Sequence, residues 1–232
     1  MLKAWVSGHL TRGTKRALAN VVQELRLQRR HRAGVRRAKA FASEKHLKLH
    51  LGCGSNRKAG WVNVDLFNPS ADIALDLREP FPFEDGSVAE IYSEHVLGHF
   101  DYPIDARHLL GECLRVLEPG GVFNIGVPDH QRAFRAYAER DHDYFAMRRL
   151  RSYLLAEEPT LMHQLNYCIR EEGLHKYSYD EETLVSVLEG IGFEDVARRP
   201  FNPSLHYARR KHVPTIYVEA HKPAPVAIRA AG

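Results

Sequence analysis

A short alternating run, Leu47-Lys-Leu-His-Leu51, is closed by Gly52-Cys-Gly54. Glycines at such a place let the backbone turn tightly and approach a ligand with no Cβ in the way. A carboxylate, Asp65, follows 13 positions after Gly52. It can accept hydrogen bonds from both hydroxyls of a ribose. A second carboxylate, Asp76, stands beside Leu77. It can accept from the exocyclic amine of an adenine while the apolar neighbour lies against the ring. The dinucleotide fingerprint G-x-G-x-x-G needs a third glycine where this chain has Arg57, and an acid about 20 residues on. Here the acid comes early. A parallel crossover usually takes about a dozen residues or more and contains a helix, and the span from Gly52 to the next apolar run is too short for that. The helix must be truncated or absent, and its N-terminal dipole, which would hold a pyrophosphate, goes with it. These positions outline an adenosine pocket without a phosphate cradle.

Ser93-Glu94-His95 and His99 form the second group. Histidine is the side chain whose ordinary pKa suits proton transfer near neutrality. His95 and His99 are four apart, on one face if the segment is helical. His175 and Tyr177 are further candidates. The same spacing occurs in the H-E-x-x-H zinc motif, but Val-Leu-Gly intervenes here with no Glu, so no metal is expected. No G-x-S-x-G elbow precedes Ser93, which argues against a hydrolase triad.

The elements that must position these residues are legible as strands at 47–51, 61–65, 71–75, 88–92 and 122–127. A helix with Leu109, Leu110, Cys113, Leu114 and Leu117 on one face ends at Pro119-Gly-Gly, and another covers 180–189. The runs 193–198 and 215–220 read as a final antiparallel pair, and 129–172 as a partly helical insertion. Strands alternating with helices imply an open, mostly parallel sheet. Ligands of such sheets lie at the carboxyl ends of the strands.

The ordered set resembles the class I S-adenosylmethionine-dependent methyltransferases, in particular the small bacterial type 11 branch. The resemblance is carried by Leu49-His-Leu-Gly-Cys-Gly-Ser-Asn56, Gly60-Trp-Val-Asn-Val-Asp65, Ala71-Asp-Ile-Ala-Leu-Asp-Leu77, Tyr92-Ser-Glu-His-Val-Leu-Gly-His99 and Val116-Leu-Glu-Pro-Gly-Gly121. It implies a Rossmann-like α/β fold with a mostly parallel seven-stranded sheet and an antiparallel last strand. It also implies that S-adenosyl-L-methionine is the cofactor. Gly52, Cys53, Gly54 and Asn56 would line its methionine side, Asp65 and Leu66 the ribose, and Asp76 and Leu77 the adenine. Ser93 and Glu94 would lie beneath the sulfonium, and His95 and His99 would face the methyl acceptor. The chain departs from the family pattern at His50, Asn56 and Gly98, where an acid, a glycine and Glu are usual.

Composition bounds the rest. The chain has 232 residues, 44% of them hydrophobic, enough for one large domain with a real core. Its three cysteines are scattered and odd in number, which argues against a disulfide scaffold. The net charge of +4 conceals an asymmetry. Residues 1–48 hold 13 Lys or Arg against Glu24 and Glu44, for a net of +11, and the remainder carries −7. Leu18, Val21, Val22 and Leu25 form a narrow helical stripe within that basic arm, with a break expected at Gly34 and a second helix over 35–43. We therefore read 1–45 as a basic helical arm, 46–222 as the catalytic domain, 129–172 as a lid over the acceptor site, and 223–232 as a flexible tail. The expected activity is methylation of an oxygen on a saccharide (a surface glycan or its precursor) or small metabolite. An RNA methyltransferase using the arm, or a non-catalytic adenosyl-binding partner protein, are the alternatives. A cytoplasmic location is expected, with the arm touching the inner face of a membrane in preference to nucleic acid.

Overall fold

The structure is a computed structural model, described here over residues 10–149, 160–208 and 213–225. The apolar run Met1–Val6 and residues 226–232 of the expected tail lie outside the described residues. Helix α1 (Arg12–Ala38) is capped by Thr11, whose side chain accepts from the Thr14 N–H at 3.2 Å. It does not break at Gly34. One helix of 27 residues runs through that position and ends in a 3-10 turn, Lys39–Phe41. The reason is contact. A Cβ on Gly34 would stand 1.9 Å from the Ala74 carbonyl oxygen, so the glycine lets two backbones meet. Its penalty of about 1 kcal/mol in helix propensity is outweighed by that packing.

The sheet follows: β1 (Leu47–Leu51), β2 (Val62–Val64), β3 (Val88–Glu94), β4 (Leu117–Pro128), β5 (Glu194–Arg199) and β6 (Thr215–His221). Their order is β2-β1-β3-β4-β6-β5; β2, β1, β3 and β4 are parallel, while β6 is antiparallel to both neighbours. Six strands stand where the sequence predicts seven. The expected strand at 71–75 is reduced to one bridge between Val64 and Ile73. Two features stop it from extending. The Asp72 carboxylate takes the Asn63 N–H at 2.8 Å, and α1 presses on Ala74. No helix lies between β1 and β2, as the short crossover requires.

One face of the sheet, with Leu49, Leu51, Ile91, Phe123, Ile125 and Val218, packs into the main core with helices α2 (Ile104–Val116) and α6 (Glu181–Ile191). The missing helix leaves the opposite face polar and aromatic. The β5–β6 connection covers it. His206 stacks on Tyr217 with ring centroids 3.6 Å apart, and Lys58 lies 4.6 Å from the Tyr92 ring centre. Helices α3 (His130–Ala138), α4 (His142–Arg149) and α5 (Leu161–Arg170) form the insertion around a small core of Ala133, Phe145, Leu161 and Leu165.

His50 sits buried on the polar face, 3.4 Å from the Asn63 Oδ1. Burial, helped by the Lys58 charge, lowers its pKa to about 4. An unfolded histidine protonates near 6.5. Between those values the unfolded chain binds more protons, so acid favours unfolding. Stability from neutral His50 is complete above about pH 6.5 and is lost progressively as pH falls to about 4, with a ceiling of roughly 3 kcal/mol. Urea midpoints at neutral pH and at about pH 4.5 should differ more for the wild type than for His50→Gln. Equal acid losses in both proteins would remove His50 from the account.

Candidate active site

The glycine turn is tied to the end of β2. The Cys53 N–H donates to the Val64 carbonyl at 3.1 Å, and the Gly54 N–H to Asp65 Oδ2 at 2.8 Å. Asp65 Oδ1 accepts from the N–H groups of Phe67 and Asn68, each at 2.8 Å. The Asn68 side chain donates to the Gly54 carbonyl. Asp65 and the turn therefore form one unit. Gly52 and Gly54 both have positive φ, at 63° and 50°. A Cβ on Gly52 would strike Val96 at 2.2 Å, whereas Gly54 faces open space. Cys53 is buried, and burial pushes its thiol up to about 11, so it lines the turn as an unreactive group. Asn56 closes the turn, donating its N–H to the Cys53 carbonyl at 2.9 Å. Leu66 follows Asp65, half-buried.

Asp76 is held by a residue that sequence reasoning did not single out. Arg78 grips it with Nε at 3.0 Å from Oδ1 and Nη2 at 2.6 Å from Oδ2. Burial alone would raise the Asp76 pKa, but the Arg78 hydrogen bonds and charge hold it below the usual carboxylate range. Arg78 Nη2 also donates to Glu24 of α1 at 3.1 Å, and the Asp76 N–H donates to Nδ1 of His31 at 3.1 Å. The arm thus packs against Asp76 and Arg78. Glu24, Gln28, His31 and Arg32 face Asp76 and Arg78 across a cleft of about 1070 Å³. An arginine two residues beyond the acid was the available sequence signal. Leu77 is buried in the main core.

At the end of β3, Ser93 is buried and Glu94 points to the polar face. Both Glu94 oxygens are engaged by protein. Oε1 accepts from the Tyr217 hydroxyl at 2.8 Å, and Oε2 from the Tyr92 hydroxyl at 2.5 Å and the Tyr207 N–H at 3.2 Å. Glu94 braces the strand end. His95 follows with φ of 58°, a left-handed conformation that β-carbon residues adopt only when their surroundings impose it. Its N–H donates to the Gly126 carbonyl at 2.8 Å, and Nε2 lies 3.0 Å from the Thr215 hydroxyl. That hydroxyl donates its one proton to the Val213 carbonyl at 3.0 Å.

His95 and His99 do not share a helix face. The left-handed residue ends the strand, and His99 lies in a 3-10 turn, Leu97–His99. His99 turns instead toward His175, with ring centroids 5.0 Å apart. Tyr177, whose N–H reaches the Gly98 carbonyl at 3.4 Å, pairs its ring with Tyr102 at 4.8 Å. The structure thus brings the glycine turn and Asp65 together, attaches Asp76 to the arm, and separates the two histidines.

Residues 49–125 match a family described as "Methyltransferase domain", a stretch running from β1 into β4. Among curated proteins none matches this chain. Similar solved structures include a methyltransferase from Thermotoga maritima described as a possible histamine N-methyltransferase, 15% identical, spanning 89% of this chain and 97% of that one at a TM-score of 0.45. Another, an S-adenosylmethionine-dependent methyltransferase from Archaeoglobus fulgidus, is 15% identical and covers 86% of this chain and 94% of its own at 0.45. A third, from Methanosarcina mazei, is 15% identical over 80% and 96% at 0.46. The family match falls on the glycine turn and both carboxylates, in agreement with a class I S-adenosylmethionine-dependent methyltransferase. Residues 49–125 thus carry a methyltransferase domain of the type 11 kind, and S-adenosylmethionine is the cofactor that goes with it. The residues fit that cofactor: Gly54 leaves open space before its backbone, and Asp65 stands next to it.

Proposed function

We propose that the protein methylates an oxygen of a saccharide or small metabolite, with His95 as the proton acceptor. The observation that carries this reading is His95, held in a left-handed conformation just past the carboxyl end of β3 with its ring against the Thr215 hydroxyl at 3.0 Å. When bound, S-adenosylmethionine supplies an electrophilic methyl group on a sulfonium. Gly52, Cys53, Gly54 and Asn56 hold its methionine side, Asp65 and Leu66 the ribose, and Asp76 and Leu77 the adenine. Ser93 lies below the reacting centre and Glu94 braces that strand end. Displacement at a sulfonium needs in-line alignment, so positioning supplies most of the acceleration. An oxygen acceptor also loses a proton, and a placed base contributes about 10²-fold or more. The helices of the insertion would close over the acceptor.

Transfer of labelled methyl groups into cell extract, separated into glycan, lipid, RNA and small-molecule pools, tests the acceptor class. Incorporation into glycan or small molecules supports the reading, and incorporation confined to RNA overturns it. His95→Ala should lower kcat by about 10²-fold or more with little change in cofactor affinity. Ordinary turnover in that variant would discard the base.

The arm supports a location beside an anionic membrane. Leu18, Val21, Val22 and Leu25 of α1 are each about half exposed, among arginines that attract acidic headgroups. No helix among the described residues is long and apolar enough to cross a membrane.

A further inference from the structure

We propose that His99, Glu171 and His175 form a binding site for one divalent transition-metal ion of the zinc type. Their ligand atoms all lie within 4.8 Å of one another. Around a tetrahedral zinc with bonds of about 2.0–2.1 Å, neighbouring ligand atoms are roughly 3.4 Å apart. The pair His175 Nε2 and Glu171 Oε2 already stands at 2.9 Å. The remaining adjustment falls on His99, which is exposed.

Three details distinguish this cluster from a chance surface grouping. His99 Nδ1 lies 3.3 Å from the Leu174 carbonyl, so it carries the proton and leaves Nε2 as a lone pair. A backbone carbonyl on the far ring nitrogen is the usual way to orient a metal-binding imidazole. The His175 side chain is only 6% exposed, so packing fixes its ring with Nε2 toward Glu171. Glu171 adopts φ of 41°, a left-handed conformation at the end of α5. Glycine is the ordinary residue there. Glu accepts the strain, and its carboxylate thereby reaches His175.

The scaffold is shared by both halves of the site. The N–H groups of Lys176 and Tyr177 donate to the Gly98 carbonyl at 2.8 and 3.4 Å, tying the His175 segment to the His99 turn. Two imidazoles and one carboxylate suit zinc, manganese, iron or cobalt better than magnesium or calcium. Three protein ligands leave a coordination position open, which is the pattern of catalytic rather than structural zinc. The sequence expectation of no metal concerned the pair His95 and His99; this site uses a different partner for His99. An ion here would bind an acceptor hydroxyl and lower its pKa. That consequence rests on the methyl-transfer reading, whereas the binding itself does not.

The test uses the full chain without an affinity tag, stripped with a chelator and then dialysed against Zn²⁺ or Co²⁺. Elemental analysis should find one ion per chain, and the cobalt form should show the visible absorption of a site with nitrogen and oxygen ligands. His99→Ala and Glu171→Gln, both at exposed or half-exposed side chains that leave the fold intact, should each weaken binding at least about tenfold, the lower limit for disturbing even an outer-shell partner. His142→Ala, an exposed histidine outside the cluster, should bind like the wild type. Binding well below one equivalent in the wild type, or unchanged affinity in both ligand variants, overturns the proposal. If the ion binds as stated but no methyl transfer is found, the site stands and the acceptor reading alone fails.

Discussion

Asp65→Ala should lose S-adenosylmethionine binding by about 10-fold or more, because a charge-assisted hydrogen bond to a ribose hydroxyl, at roughly 1.5–3 kcal/mol, disappears. The same carboxylate accepts the N–H groups of Gly54, Phe67 and Asn68. Removing it leaves three backbone donors without their partner and should cost the fold about 1–3 kcal/mol. The two effects separate by measurement. Calorimetric titration below the unfolding range reads the affinity, and thermal melting of the same sample reads the stability. A variant that melts lower but binds the cofactor as tightly as the wild type would reduce Asp65 to a loop anchor.

Gly34→Ala should destabilise the protein although alanine is the better helix former by about 1 kcal/mol. The added Cβ would stand 1.9 Å from the Ala74 carbonyl oxygen and 2.7 Å from its carbon. Backbone atoms cannot rotate away as a side chain can, so α1 must lift from the domain. Forced overpacking of this kind costs about 1–3 kcal/mol. Lifting α1 also withdraws Glu24 and His31 from Arg78 and Asp76. We expect a lower melting temperature, faster tryptic cleavage within 26–37, and weaker cofactor binding. Gly13→Ala is the control in the same helix, since its Cβ would meet only Thr11 at 3.8 Å. If both variants behave alike, the arm is not docked through Gly34.

The fold was legible in the sequence where local signals and tertiary packing agree. The glycine turn, the absent helix after β1, and the antiparallel pair β5 and β6 all follow from spacing. Elements were misread where a contact distant in sequence decides. Ala71–Leu75 has the pattern of a strand, but Asp72 and the arm limit it to a single bridge. Gly34 has the signature of a helix break, yet what it answers is Ala74, 40 positions away. In the site, Asp65 beside the glycine turn was readable from its place after β2. The grip of Arg78 on Asp76 and the support from Glu24 and His31 were not. They depend on where the arm docks, and no periodicity encodes that. The i, i+4 spacing of His95 and His99 suggested one face. A left-handed residue at 95 is invisible in composition, and it sends the two rings toward different partners, Thr215 and His175.

The central claim is an adenosine site without a phosphate cradle, built on Gly52–Gly54 and Asp65. Calorimetric titration of the full chain with S-adenosylhomocysteine, followed by competition with NAD and ATP, tests it most directly. The account predicts one molecule of S-adenosylhomocysteine bound per chain and no displacement by either phosphate-bearing nucleotide. Failure to bind S-adenosylhomocysteine, or its ready displacement by NAD, would contradict it.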